Sequence, residues 1–133
     1  KNILAVFVGV LDGKKLGDNA KAYVITKGLE EIKTIGLKLG AKEETFYGLA
    51  GIGDVIVTAT SKHSRNRHVG EQVGKGRKLD EVLAEMSMVA EGVTAVKKAI
   101  GFKEKLGLHL PLTEGLYQVL FEGKEVEEVL RKL

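Results

Sequence analysis

The sequence contains no cysteine, no tryptophan and a single proline, Pro111. The missing thiols exclude a disulfide framework, a thiolate zinc site and a cysteine nucleophile. Aromatic residues make up only 5% of the chain, so any core must be built mainly from aliphatic side chains. The longest apolar run, residues 3–11, is far short of the ~20 residues that span a bilayer. That run follows a positive start, yet no small-x-small cleavage site comes after it. Asp12-Gly13-Lys14-Lys15 comes instead, so the run reads as a buried helix rather than a leader, and a cytoplasmic location is expected. Charge of one sign is also scarce. Twenty-one Lys and Arg stand against 18 Asp and Glu, a net +3, without the dense basic stripe of a nucleic-acid binder. The chain begins at Lys1, not Met, and is expected to be part of a longer protein.

What is present is an ordinary globular balance. Of 133 residues, 44% are apolar and 29% charged. That suits one domain burying roughly two-thirds of its unfolded surface. Helical periodicity dominates. Ala22, Ile25, Leu29, Ile32 and Leu39 recur at helical spacings and predict a long helix over 19–39, with Asp18 or Asn19 as cap and Gly40 as stop. Residues 3–11 are apolar all round, which predicts a central helix packed on several sides, with a strand as the alternative. Further helices are predicted over 43–47, 79–86, 93–106, 112–121 and 126–133, with Gly123 separating the last two. Pro111 sits where a helix start tolerates proline. No hairpin turn is flanked by alternating residues. The fold class predicted is all-α, with about eight helices.

Seventeen glycines are many for such a fold, and several cluster in Gly48-Leu49-Ala50-Gly51-Ile52-Gly53-Asp54. The spacing is G-x-x-G-x-G, so it is neither the G-x-G-x-x-G dinucleotide fingerprint nor a Walker A loop. It predicts a tight turn that presents Asp54 by backbone. Asp54 would either cap the helix that follows or hold a nearby ammonium or hydroxyl. In Ser64-Arg65-Asn66-Arg67, Ser64 is a helix cap, and Arg67 stands where a capping box has Glu or Gln. Two arginines at the positive end of a helix oppose its dipole. An anion would resolve the conflict, held by the Ser64 hydroxyl, the Asn66 amide and the Arg65 guanidinium. The bland alternative is a solvated basic face with Lys62, His63 and His68. Those two histidines lie five apart without further ligands nearby, so no metal site is expected. Lys1 adjoins the most apolar helix, where partial desolvation would suit proton transfer, but on the residues alone it reads as an exposed terminal lysine. Glu91 reads as a carboxylate at a helix start.

Eight stretches then occur in an order that resembles a known family. They are Lys1-Asn2-Ile3-Leu4-Ala5, Leu16-Gly17-Asp18-Asn19-Ala20-Lys21-Ala22, the glycine cluster through Asp54, and Thr58-Ala59-Thr60-Ser61. Ser64-Arg65-Asn66-Arg67, Val89-Ala90-Glu91-Gly92, Pro111-Leu112-Thr113-Glu114 and Val119-Leu120-Phe121-Glu122-Gly123 complete the set. Together they resemble the C-terminal domain of NAD(P)-dependent glycerol-3-phosphate dehydrogenase. The resemblance implies a multi-helix domain like the 6-phosphogluconate dehydrogenase C-terminal domain, with residues 1–133 as the C-terminal substrate-binding domain. A Rossmann domain would precede it and carry most of the NAD or NADP. The implied reaction is reversible reduction of dihydroxyacetone phosphate to sn-glycerol 3-phosphate, which feeds phospholipid synthesis.

By the same resemblance Lys1 is the catalytic residue. Lys1, Asn2, Asp54, Thr58, Ser64, Arg65 and Asn66 bind the phosphate substrate, and Arg65, Val89 and Glu91 border the cofactor. The implied partners are the Rossmann domain and a second copy in a homodimer, with no nucleic acid and no membrane span. The residues alone also permit a free-standing helical module that binds a phosphate or a nucleic acid without catalysis.

Overall fold

The computed structural model describes residues 1–133 and contains eight α-helices and no strand. They are α1 (Asn2–Gly13), α2 (Asp18–Lys38), α3 (Asp54–Thr60), α4 (Arg65–Gly74), α5 (Leu79–Glu85), α6 (Glu91–Leu106), α7 (Pro111–Phe121) and α8 (Val126–Arg131). A 3-10 turn (Glu43–Tyr47) and a single π turn (Leu49–Gly53) lead into α3. The all-α expectation stands, and the strand alternative for residues 3–11 does not.

Helix α1 is the axis of the molecule. Every residue from 4 to 11 is buried, because an all-apolar helix has no face to offer water. It runs parallel to α4 along a seam of glycines. Gly9 and Gly13 on α1 meet Gly70 and Gly74 on α4, each pair four residues apart and so on one helical face. A Cβ at Gly70 would overlap the Val6 carbonyl oxygen and stand 2.9 Å from the Val10 nitrogen. A Cβ at Gly9 would overlap the Arg67 carbonyl oxygen. Backbone therefore lies on backbone, as in the small-residue crossings of membrane helices. The hydrophobic pattern does not reveal this seam, since glycine carries no apolar side chain to count.

Helix α2 also departs from its predicted face. The buried residues are Val24, Gly28 and Glu31. Ile25, Leu29 and Ile32 are only half-buried, while Ala22 and Leu39 are exposed. The reason is steric at Gly28, where the Leu4 side chain fills the space a Cβ would take. The reason is polar at Glu31. Its carboxylate accepts from the backbone N–H groups of Leu112 and Thr113, the latter at 3.0 Å, and from the Thr113 hydroxyl at 2.6 Å. A side chain of α2 thus caps the start of α7, where Pro111 has no N–H to satisfy. The cap of α2 itself is Gly17, with Asp18 inside the first turn; neither Asp18 nor Asn19 is the cap. Gly40, at φ +92°, ends the helix as predicted.

Glu31→Ala should destabilise the domain by about 2–3 kcal/mol, because it strands two buried N–H donors and a hydroxyl. Urea denaturation reads this directly, and an unchanged midpoint would refute the cap. Burial pushes the Glu31 carboxyl above its ordinary range, against the lowering effect of its Thr113 and Leu112 hydrogen bonds. The stability linked to this shift is therefore fully present below the ordinary carboxylate pKa. It is lost as pH rises through the higher folded value.

The 3-10 and π turns are pinned by Phe46. Its ring lies against Gly36 of α2, and its backbone lies under Gly51. Lys33 of α2 holds the same turn through Glu43 and the Tyr47 hydroxyl, the latter at 3.0 Å. The chain leaves this anchored segment directly into Asp54.

Candidate functional site

Four helix starts meet at one end of the α1/α4 seam. Lys1 precedes α1, Asp54 opens α3, Ser64 precedes α4 and Glu91 opens α6. The Lys1 backbone is fixed, because its carbonyl accepts from the Ala5 N–H at 3.2 Å. Its Nζ lies 2.8 Å from Asp54 Oδ2, with the two side chains 46% and 42% exposed. Asp54 is not the cap of α3. Gly53 holds that position, and the Asp54 side chain makes no capping bond, so its carboxylate is committed to the ammonium. Thr58 follows one turn later on the face of Asp54 and is half-buried.

At the start of α4, the Ser64 oxygen accepts from the Arg67 N–H at 3.2 Å, as a cap does. Its hydroxyl proton stays free to donate. The Asn66 side-chain oxygen accepts from the Gly92 N–H at 2.8 Å, which turns the amide NH2 the other way. Gly92 has no room for a side chain. A Cβ there would stand 2.6 Å from the Asn2 carbonyl oxygen and 2.9 Å from Asn66 Oδ1. Asn2 donates to Glu91 at 3.4 Å. Gly92 is thus the point where α1, α4 and α6 touch, and it ties Asn2, Asn66 and Glu91 into one group. Arg65 is exposed and reaches Met88 Sδ at 2.9 Å on the α5–α6 connector. Val89, its neighbour, is 71% exposed.

The structure thus joins Lys1 with Asp54, and Asn2 with Asn66 and Glu91. It places Arg65 beside the Val89 connector. Ser64 and Thr58 adjoin through their helices, without a hydrogen bond to the other site residues.

The conflict of charges at the start of α4 is only half real. The Arg67 guanidinium donates to Asp12 Oδ2 and to the Thr60 carbonyl oxygen, each at 2.7 Å. Asp12 in turn pairs with Lys21 at 2.8 Å. Arg67 is a structural tie between α1, α3 and α4, and only Arg65 lacks a carboxylate partner. The sequence spacing of 55 residues hid Asp12 from a local reading. Partial burial pushes the Asp12 carboxyl up, but hydrogen bonds and charge from Lys21 and Arg67 outweigh it and hold the pKa below the ordinary range. Its contribution is therefore present above the unfolded carboxylate pKa and is lost as pH falls through the folded value. Asp12→Asn should flatten the acid limb of a plot of unfolding free energy against pH. A limb of undiminished slope would contradict this tie.

No group of three His, Asp or Glu side chains is placed to hold a metal ion. No helix is long and apolar enough to cross a membrane.

Comparison with known proteins identifies the family of the chain. The sequence model described as NAD-dependent glycerol-3-phosphate dehydrogenase C-terminus matches residues 1–131. A protein of Prosthecochloris aestuarii named glycerol-3-phosphate dehydrogenase [NAD(P)+] is 50% identical over all 133 residues, which cover 40% of that protein. Its namesake from Geobacillus thermodenitrificans is 53% identical over the same span, 39% of its length. Among solved structures, glycerol-3-phosphate dehydrogenase of Coxiella burnetii superposes with a TM-score of 0.92 at 35% identity. The match covers 98% of this chain and 40% of that one. The Dunaliella salina structure gives 0.83 at 25% identity, over 98% of this chain and 27% of that one. The chain spans about two-fifths of the length of the curated relatives it matches. Its helices, its glycine turn and its cluster of helix starts thus belong together in a chain that is a member of the NAD-dependent glycerol-3-phosphate dehydrogenase C-terminal family.

Proposed function

We propose that this chain is the substrate-binding half of an enzyme that reversibly reduces dihydroxyacetone phosphate to sn-glycerol 3-phosphate with NADH or NADPH. The observation that carries the reading is the Lys1–Asp54 pair at the same end of the fold as Arg65 and Asn66. A phosphate binder needs the second pair but has no use for the first.

The Arg65 guanidinium, the Asn66 amide NH2 and the Ser64 hydroxyl donate to the substrate phosphate, which carries about −1.5 to −2 charge near neutrality. Asn2 and Thr58 border the same pocket. Lys1 Nζ gives its proton to the oxygen on C2 during reduction and takes it back during oxidation. Asp54 orients the ammonium for that transfer. The exposed Val89 face between a cation, Arg65, and a carboxylate, Glu91, fits the edge of a nicotinamide dinucleotide. When bound, that cofactor supplies and accepts the hydride. A preceding Rossmann domain holds most of it.

The exposed side chains of Leu49, Ile56 and Val57 offer that domain an apolar surface, or a second copy of the chain in a homodimer. The enzyme works in the cytoplasm and feeds phospholipid synthesis.

The test is NAD(P)H oxidation by the chain joined to its N-terminal domain, with dihydroxyacetone phosphate as substrate. Arg65→Ala should lower kcat/KM by about 10- to 100-fold, the worth of a hydrogen bond to a charged group. Residues 1–133 alone should not turn over. Phosphate binding without turnover by the joined protein would instead favour the free-standing binding module.

A further inference from the structure

We propose that Met88 is an oxidation site whose sulfoxide captures Arg65 and closes the anion cradle. The inference rests on the reading of Arg65 as the phosphate ligand. The chain holds only two sulfur atoms, in Met86 and Met88, and no cysteine. They differ sharply in setting. Met86 is half-buried and packs against the core. Met88 is 60% exposed, and its sulfur lies 2.9 Å from Arg65 Nη1.

Arg65 is the arginine of this cluster without a carboxylate. Arg67 has Asp12, and Arg77 on the far side has Glu85. A thioether is a weak acceptor, so Arg65 rests on Met88 without being held there and can leave for an anion. A peroxide changes that balance. Its O–O bond breaks, one oxygen bonds to the Met88 sulfur, the sulfur loses two electrons, and the peroxide is reduced to water or to its alcohol. The product oxygen is a strong acceptor within reach of the same guanidinium. The sulfoxide then competes with phosphate for Arg65. It also anchors the connector that carries Val89, on the other side of which lies Glu91. Reduction of the sulfoxide returns the thioether, so the capture is reversible.

The experiment treats the full-length protein with limiting hydrogen peroxide and follows it by peptide mass mapping. Inorganic phosphate binding is measured by calorimetry before and after. Met88 is expected to gain one oxygen before Met86 does. Phosphate affinity is expected to fall about ten-fold and to return after methionine sulfoxide reductase. Met88→Leu should bind phosphate equally before and after peroxide, and Met86→Leu should lose affinity on treatment as the unmodified protein does. First oxidation at Met86, or full oxidation of Met88 with unchanged affinity, overturns the proposal. Loss of affinity in treated Met88→Leu does so too. If Arg65→Ala binds phosphate as well as the unmodified protein, the reading of Arg65 fails and the capture fails with it. The order of oxidation is read by mass in either case.

Discussion

Gly70→Ala is expected to be the most destabilising of the single changes considered for this domain. The new Cβ would overlap the Val6 carbonyl oxygen, which belongs to the main chain of α1 and cannot rotate away. The two helices would have to separate along the seam, and Gly9, Gly13 and Gly74 meet backbone in the same way, so separation at one point loosens all four. Overpacking into flexible side chains costs typically 1–3 kcal/mol. Against rigid backbone the cost is expected at about 3–5 kcal/mol, in the range reserved for severe lesions. For a chain of this size that is a fall in Tm of about 10 °C or more. Gly101→Ala supplies the contrast. It lies in α6 with nothing within 4 Å of a built Cβ, so the same substitution should add about 0.5–1 kcal/mol through helix propensity. Thermal unfolding followed by circular dichroism separates the two. Equal melting of Gly70→Ala and the unmodified chain would mean the helices are not in main-chain contact.

Lys1→Ala in the joined enzyme is expected to lower kcat by roughly 10²–10⁴-fold, the usual worth of a placed general acid. The same change should leave stability almost untouched. Its ion pair with Asp54 is about half exposed, and such pairs contribute about 0–1 kcal/mol. A structural role would move Tm and kcat together; a proton-transfer role moves kcat alone. Asp54→Asn keeps the shape but removes the charge beside the ammonium, and it should lower kcat by a smaller factor. Unaltered turnover in Lys1→Ala would end the catalytic assignment.

The parts of the fold that announce themselves through apolar side chains were legible in the sequence. The burial of residues 4–11, the helix after Pro111 and the stop at Gly40 all follow from local pattern. The Ser64 cap was legible for the same reason, since it acts three residues away on Arg67. What stayed hidden acts through atoms that a hydrophobicity pattern does not weigh. Gly28 and Glu31 set the buried face of α2, one by lacking a side chain and one by meeting backbone donors 81 and 82 residues on. The two G-x-x-x-G spacings, 9–13 and 70–74, were in view but carry meaning only once the helices are known to cross there. Asp12 turned Arg67 from a charge opposing the α4 dipole into a tie, a pairing that spans 55 residues. Arg65 has no such acidic partner and rests on Met88 instead.

The seam between α1 and α4 also bears on how such a site can change over generations. Lys1 heads one helix and Ser64, Arg65 and Asn66 head the other, so the gap between them is gauged by two main chains in contact. Main-chain radii do not mutate. Neighbouring core residues such as Val10 and Val69 can be exchanged for other aliphatics, and the outer helices can drift. The gauge holds as long as four glycines remain.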